Sequence, residues 1–411
     1  MTNPLSVAQA TDDREPLIGI AALMRMALAG DGLPALGQQL LRRAADHPEH
    51  AETLLDLSTV LQFTGQRDIA LSMQGQALGM QRLYHMAAAQ QPAALRLLAL
   101  LAPGDLMANT PLEFLIEDSD VDLDLLYVTA DAPLPPSVPD HDVLFVAVGE
   151  SDASQPLLDA LEVLLKAWPR PMINSSAAIA NLSRDGACEL LRNAPGLVLP
   201  QSVRVERHTL ERVASGALPL ADILEVGGFP ALVRPVGSHA GHGLVRLADP
   251  EALVEYLAAN NAMTFFVTPF IDYRSDDGQY RKYRIVLIDD RPYICHMAIS
   301  DHWMVHYANA GMTESAEKRA EEARFMEGFD QEFAVRHDAA LRAIAARARL
   351  DYLGIDCAET PDGRLLIFEV DTAMVVHALD PVDLFPYKQP QMRKVFDAFR
   401  ALLAKKRHRP K

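Results

Sequence analysis

A chain of 411 residues is longer than one hydrophobic core ordinarily holds, so two or three domains are expected. Its apolar fraction of 49% and charged fraction of 23% place it among folded globular proteins rather than disordered ones. A formal net charge of −17 argues against a general surface for nucleic acid or an anionic membrane.

The cysteines, Cys188, Cys295 and Cys357, lack metal-ligand or redox spacing and fit reduced thiols in a cytoplasmic protein. The opening "MTNPLSVAQATDDREPL" carries acids early and lacks the basic-then-apolar order of a secretory signal. No apolar run approaches the roughly 20 residues that cross a bilayer. The basic end "KKRHRPK" reads as a frayed tail.

Residues 1–91 read as a helical region. From Pro16 to Gln90, alanine and leucine recur with helical period and no strand signal. Within it, "AETLLDLSTVLQFTGQRDIALSMQGQAL" spaces Leu54, Leu57, Ser58, Leu61, Gly65, Ala70 and Ala77 like a tetratricopeptide repeat, with small residues where two helices cross. A single unit cannot bury its own face, so it must pack on neighbouring helices or on the next domain. A plain helical bundle is the alternative.

Residues 92–174 change texture. "ALRLLALLAPGDLMANTPLEFLIE" predicts a buried strand, a Pro-Gly loop and a helix opening near Asn109 or Thr110. "LDLLYVT" and "DVLFVAVG" predict strands, "LLDALEVLLKAW" an amphipathic helix and "RPMIN" a short strand. Strands alternating with helices imply a small parallel-sheet α/β domain.

Residues 175–411 are mixed, which fits an α+β domain. "SSAAIANLSRDGACELLRNA" predicts a helical pair, "FPALVRPVG" and "GLVRL" strands around a glycine loop, and "PEALVEYLAAN" a helix. "TFFVTPFID" and "YRIVLIDDRPYICHMAI" add strands, with a long helical region from Ser315 to Leu350.

Chemistry concentrates in three stretches. In "RPVGSHAGHGL" a strand ending at Arg234 runs into Gly237, Ser238, Gly241 and Gly243 before a second strand. Glycines let backbone N–H groups approach a phosphate, and Arg234 and His239 at the rim add charge or hydrogen bonds. The pattern is neither the P-loop nor the dinucleotide fingerprint. A hairpin turn with spare glycines explains the same residues without a ligand.

In "GIDCAETPDGRLLIFEVD", Asp356 and Glu369 lie on strands joined by "ETPDGR", and Asp371 shares Glu369's face two residues on. Oxygen-only ligands suit Mg²⁺ bridged to nucleotide phosphates rather than zinc. Acids on a wet strand face are the ordinary reading. In "QYRKYRIVLIDDRPYICHMAISDHWMVHY", Lys282 and Arg284 share a face and could neutralise a transferring phosphoryl group. Trp303, His306 and Tyr307 have the amphipathic rings that line pockets, here for the acceptor.

Taken in order from Leu95 to Ala404, these segments resemble the ATP-grasp superfamily of carboxylate–amine ligases. The α/β block is similar to that family's preceding domain, residues 175–200 to its linking helices, 201–270 to its phosphate-flap subdomain and 271–411 to its metal-binding subdomain. A helical start ahead of this arrangement resembles a bacterial group that joins tetratricopeptide-like helices to an ATP-grasp module.

The resemblance implies ATP and Mg²⁺ as cofactors. Arg184, Arg234, Ser238, His239, Gly241, His242 and Gly243 would hold phosphates, and Thr268, Phe270 and Ile271 would form the hinge that meets adenine. Asp356, Glu369 and Asp371 would hold the metal, with Arg284 and Lys282 at the reacting phosphate. Departures are Arg234 where lysine is usual, Gly186 where the linking segment commonly has lysine, with Arg184 as the candidate substitute, Thr268 and Pro269 where a hinge carboxylate is common, Lys282 where an acid often precedes the arginine, and Asp371 where asparagine is common.

The implied activity is an ADP-forming, carbon–nitrogen bond-forming ligase that activates a carboxylate as an acyl phosphate for an amine or other nucleophile. A kinase-like ATP-grasp phosphotransferase and a non-catalytic nucleotide-binding scaffold are the alternatives. The substrate is a small molecule or a peptide; the N-terminal helices serve equally to dock a peptide or protein, to form a homodimer or to shield the α/β domain.

Overall fold

The computed structural model describes residues 16–30, 32–238 and 241–408. Four helices come first: α1 (Ile20–Ala29), α2 (Leu33–Asp46), α3 (Ala51–Phe63) and α4 (Arg67–Met80). The spacing that suggested a paired unit is realised as an α3–α4 hairpin. Leu54, Leu57, Leu61, Ala70 and Ala77 are buried, and Gly65 turns the chain at φ +78°. Ala51, Leu54, Leu55 and Ala77 join the same core as Leu95 and Leu97 of the following sheet. The helices therefore cover that sheet and complete its core.

Next come β1 (Leu83–Met86), β2 (Leu95–Leu101), α5 (Leu112–Leu115), β3 (Val121–Tyr127), β4 (Val143–Val146), α6 (Gln155–Leu165) and β5 (Met172–Ile173). The sheet order is β1-β3-β2-β4-β5, parallel except for β1. β1 falls inside the stretch read as wholly helical, because "LYHM" is too short to show a strand period. Two carboxylates tie the opening helix to this layer. Asp56 of α3 accepts from the Ile18 and Gly19 amides at 2.9 and 3.0 Å, and Glu113 of α5 accepts from Ala21 at 3.0 Å.

The connector holds α7 (Ser176–Ile179), α8 (Arg184–Leu190) and β6 (Leu197–Val198). A second sheet follows, built of β7 (Val203–Glu206), α9 (Arg207–Ala214), β8 (Ala231–Pro235), β9 (Val245–Leu247), α10 (Pro250–Ala259) and β10 (Thr264–Pro269). Its order is β7-β10-β8-β9, antiparallel throughout. Val205, Val233, Leu247, Phe265 and Val267 alternate onto the face covered by Leu210, Val213, Leu253 and Leu257 of α9 and α10. Strand periodicity then puts Arg204, Leu232, Arg234, Arg246, Phe266 and Thr268 on the opposite face.

The third sheet combines β11 (Tyr280–Ile288), β12 (Arg291–Ser300), β13 (Tyr352–Glu359) and β14 (Leu365–Asp371) with β6, in the order β12-β11-β13-β14-β6. Between β12 and β13 lie α11 (Ala316–Gly328), α12 (Phe333–Arg336) and α13 (Asp338–Ala348), and α14 (Lys388–Arg407) closes the chain. Asn174 joins the first sheet to the third. Its side chain donates to Tyr352 O at 3.0 Å and accepts from Tyr352 N at 3.1 Å, as a strand neighbour would.

α14 corrects the reading of a frayed end as far as His408; residues 409–411 of that run lie outside the described residues. Lys405, Lys406 and Arg407 form its last turn and engage Asp289, Asp351 (2.6 Å) and Ala94 O (2.7 Å), while Arg400 grips Asp120 at 2.9 and 2.7 Å. Cations at a helix C-terminus also suit its dipole. Among the described residues no helix is long and apolar enough to cross a membrane.

Candidate functional site

The site grows from strand register. Arg284 of β11 stands opposite Asp356 of β13, which stands opposite Glu369 of β14. Asp371 pairs with Gly354, one step along the same face. A cation and two acids thus form a row across three strands, and a register break beside Asp356 lets the row bend.

Asp356 is only 2% exposed. Arg284 forks onto it, Nε to Oδ1 at 2.8 Å and Nη2 to Oδ2 at 3.0 Å, while Lys282 Nζ reaches Oδ2 at 2.6 Å. Burial opposes ionisation here, but Arg284 and then Lys282 outweigh it and hold the carboxyl well below the usual range. Asp356 is therefore a fixed anion that aims two cations.

Arg184, at the start of α8, reaches across to β14, with Nη2 at 2.5 Å from Glu369 Oε1 and Nη1 donating to Phe368 O at 3.3 Å. Among the described residues Asp371 has no such ion pair; its Oδ1 accepts from Ala373 N at 2.9 Å. Burial, and then the charge of Glu369, push its pKa up to about 6. Arg234 on β8 belongs to the same field: burial and then Arg184 push it down to about 10, against the pull of Glu369. Its guanidinium donates to Ser238 Oγ at 3.1 Å and to Ser238 O.

The loop between β8 and β9 has Gly237, Gly241 and Gly243 at φ +74°, +75° and +65°, as a backbone cradle requires. Ser238 Oγ turns back onto Pro235 O at 2.8 Å, Tyr256 donates to Gly243 O at 2.8 Å, and His242 is exposed. His239 lies outside the described residues. His306 covers the loop: a Cβ on Gly241 would come within 2.6 Å of its Nε2. Burial, with Lys282 next, lowers its pKa and so disfavours the charged ring.

At the hinge, Thr268 donates to Ser202 Oγ at 3.2 Å and the Phe270 amide donates to Pro230 O at 3.1 Å. The Phe270 ring meets Trp303 edge-on at 5.7 Å and lies 4.1 Å beneath the Arg246 guanidinium. Ile271 packs on the main core. Trp303 accepts from Tyr273 through its carbonyl at 2.5 Å. Tyr307, placed in the acceptor pocket by sequence, instead commits its hydroxyl inward to Glu322 at 2.9 Å and to Lys388.

Sequence reasoning missed Arg204, Arg246 and Glu150. The two arginines were legible as alternating positions on strands facing Arg234. Glu150 follows β4, in the "VAVGESD" segment where a parallel sheet offers its strand ends to ligands. Burial, then Asp152 and Asp371, push its pKa up to about 7.

Among the described residues, oxygens of Asp356, Glu369 and Asp371 do not all gather within 4.8 Å of one another, whereas ligand atoms of His47, Glu49 and His50 do. The His47 and His50 rings stack at an angle of 7°, so no ion can lie in both ring planes as drawn. Glu369 and Asp371 fit a hard cation: both are carboxylates on one strand face, and their mutual repulsion raises Asp371. Both oxygens of Asp356 are already engaged, by Arg284 and Lys282.

By sequence, the chain matches no family model and no curated protein. Among solved structures it is similar to the VanG D-Ala:D-Ser ligase of Enterococcus faecalis, with TM-score 0.45 and 14% identity over 75% of this chain and 99% of that one. It is similar to the D-alanine–D-alanine ligase of Bacillus anthracis complexed with ATP, with TM-score 0.45 and 13% identity over 76% and 98%. It is also similar to a RimK-domain ATP-grasp protein of Sphaerobacter thermophilus, with TM-score 0.40 and 16% identity over 75% and 98%. Such likenesses are too loose to pair residues.

Proposed function

We propose that this chain is an ATP- and Mg²⁺-dependent ligase of the ATP-grasp kind, activating a carboxylate for capture by an amine. One observation carries the reading. Four cations from three parts of the chain, Arg184, Arg234, Lys282 and Arg284, converge on one field, and all but Arg234 rest on carboxylates. A polyphosphate entering beneath the glycine loop offers Arg184 and Lys282 a second anion to bridge.

Arg234 and the loop backbone around Gly241 and Gly243 hold phosphates, and Arg184 swings between Glu369 and the nucleotide. Glu369 and Asp371 would hold Mg²⁺, which supplies charge neutralisation on the phosphates. Arg284, aimed by Asp356, and Lys282 face the phosphoryl group in transfer. The substrate carboxylate oxygen bonds to the γ-phosphorus and the bond to ADP breaks. The amine nitrogen then bonds to the acyl carbon, and phosphate and a proton leave. Positioning and charge supply most of the acceleration.

Glu369→Gln is expected to abolish ADP release with the fold unchanged by circular dichroism; retained turnover would count against the site. Free phosphate appearing with ADP separates the ligase from a phosphotransferase. For the helical region, the packing of α3 and α4 on the first sheet supports the shielding role over peptide docking.

A further inference from the structure

One buried charge plays no part in the chemistry above. Lys388, the first residue of α14, is 1% exposed, and Glu322 of α11 beside it is 0% exposed. Lys388 Nζ donates to the Tyr307 hydroxyl and to Asp380 Oδ2 at 3.1 Å, and lies 3.5 Å from Glu322 Oε1. Tyr307 donates onward to Glu322 Oε2 at 2.9 Å, Tyr387 donates to the same oxygen at 2.6 Å, and the Met297 amide donates to Oε1 at 3.0 Å. The ammonium also sits 3.8 Å from the Tyr307 ring centre.

A satisfied buried ion pair stabilises little more than an apolar core of equal volume, so stability alone does not account for it. What such a network does is fix a geometry. It locks Tyr307, and Tyr307 is the neighbour of His306, whose Nε2 lies against Gly241. The Tyr307 ring also lies 4.7 Å from that of His296, the cross-strand partner of Arg284. Tyr307 is thus tied to both the glycine loop and the cation row.

We propose that the Lys388–Tyr307–Glu322 network is a positioning device that holds Tyr307 and thereby seats the neighbouring His306 against Gly241, beside the cation row. The proposal rests on the nucleotide reading of the cleft for its purpose, but the seating itself is a property of the free protein. Tyr307→Phe keeps the ring and removes only the hydroxyl that joins Lys388 to Glu322.

The test is amide hydrogen exchange across Gly241–Leu244 in the full chain without nucleotide, for the wild type, Tyr307→Phe and His306→Ala. Both variants are expected to speed exchange of the Leu244 amide, which bonds to Gly241 O at 3.1 Å, by ~10-fold or more, with β2 unchanged. The KM for ATP is expected to rise in both with a smaller change in kcat. A purely structural network would lower the unfolding midpoint and leave loop exchange and KM alone. Unchanged exchange in either variant overturns the proposal; should Tyr307→Phe not fold, His306→Ala carries the test. Loosened exchange in a protein that never turns over ATP sinks the ligase reading and leaves the positioning role standing.

Discussion

Glu113→Gln isolates the contact that fastens the opening helix to the first sheet. In the folded chain, burial outweighs the Ala21 N–H bond, and with Asp56 adding repulsion the Glu113 carboxyl rises from 4.5 to about 7. A carboxyl raised on folding contributes stability that is complete below its unfolded value and is lost as pH rises through its folded value. At ~1.36 kcal/mol per pH unit, the interval from 4.5 to about 7 amounts to roughly 3 kcal/mol. Glutamine keeps an oxygen for the Ala21 amide and removes the titration. Any pH-independent cost of the amide cancels when each protein is compared with itself. Part of that stability is already lost at pH 5, above the unfolded value, so urea unfolding at pH 5 and pH 8 should show the wild type losing about 2.5 kcal/mol more than Glu113→Gln between the two conditions. Asp56, raised mainly by burial to about 6, keeps a smaller dependence of the same sign in the variant. Identical pH dependence in both proteins would refute the assignment of Glu113 as a half-buried acid with a raised pKa.

Two further substitutions separate the parts of the cleft. Asp356→Asn leaves Arg284 without its buried counter-ion and is expected to cost about 3–5 kcal/mol, read as a lower urea midpoint; a change below 1 kcal/mol would mean the Asp356 pair is solvated. Gly241→Ala puts a side chain at φ +75° against His306 Nε2, so about 1–2 kcal/mol of local strain is expected. Its readout is weaker ATP binding by calorimetry with a small change in unfolding midpoint, and undiminished affinity would argue against the loop as the phosphate lid.

Much of this was legible because it is local. The hairpin that pairs Asp356 with Glu369 follows from "TPDG" between apolar runs, and the shared face of Lys282 and Arg284 follows from strand period alone. What escaped depends on partners distant in sequence. That Arg284 grips Asp356, 72 residues on, and Arg184 grips Glu369, 185 residues on, follows from no local pattern on either strand. The inward turn of Tyr307 needed Glu322 and Lys388, neither of which carries a motif. The terminal basic run looked like a tail because its acceptors, Asp289, Asp351 and the Ala94 carbonyl, come from other layers.

The central claim is that the converging cations and the Glu369–Asp371 pair form one nucleotide–metal site. Isothermal titration of the full chain with ATP, with and without Mg²⁺, tests it most directly. The account predicts saturable binding that Mg²⁺ strengthens and that Glu369→Gln weakens. Absence of any heat of binding in the wild type, or binding indifferent to both Mg²⁺ and Glu369, would contradict it.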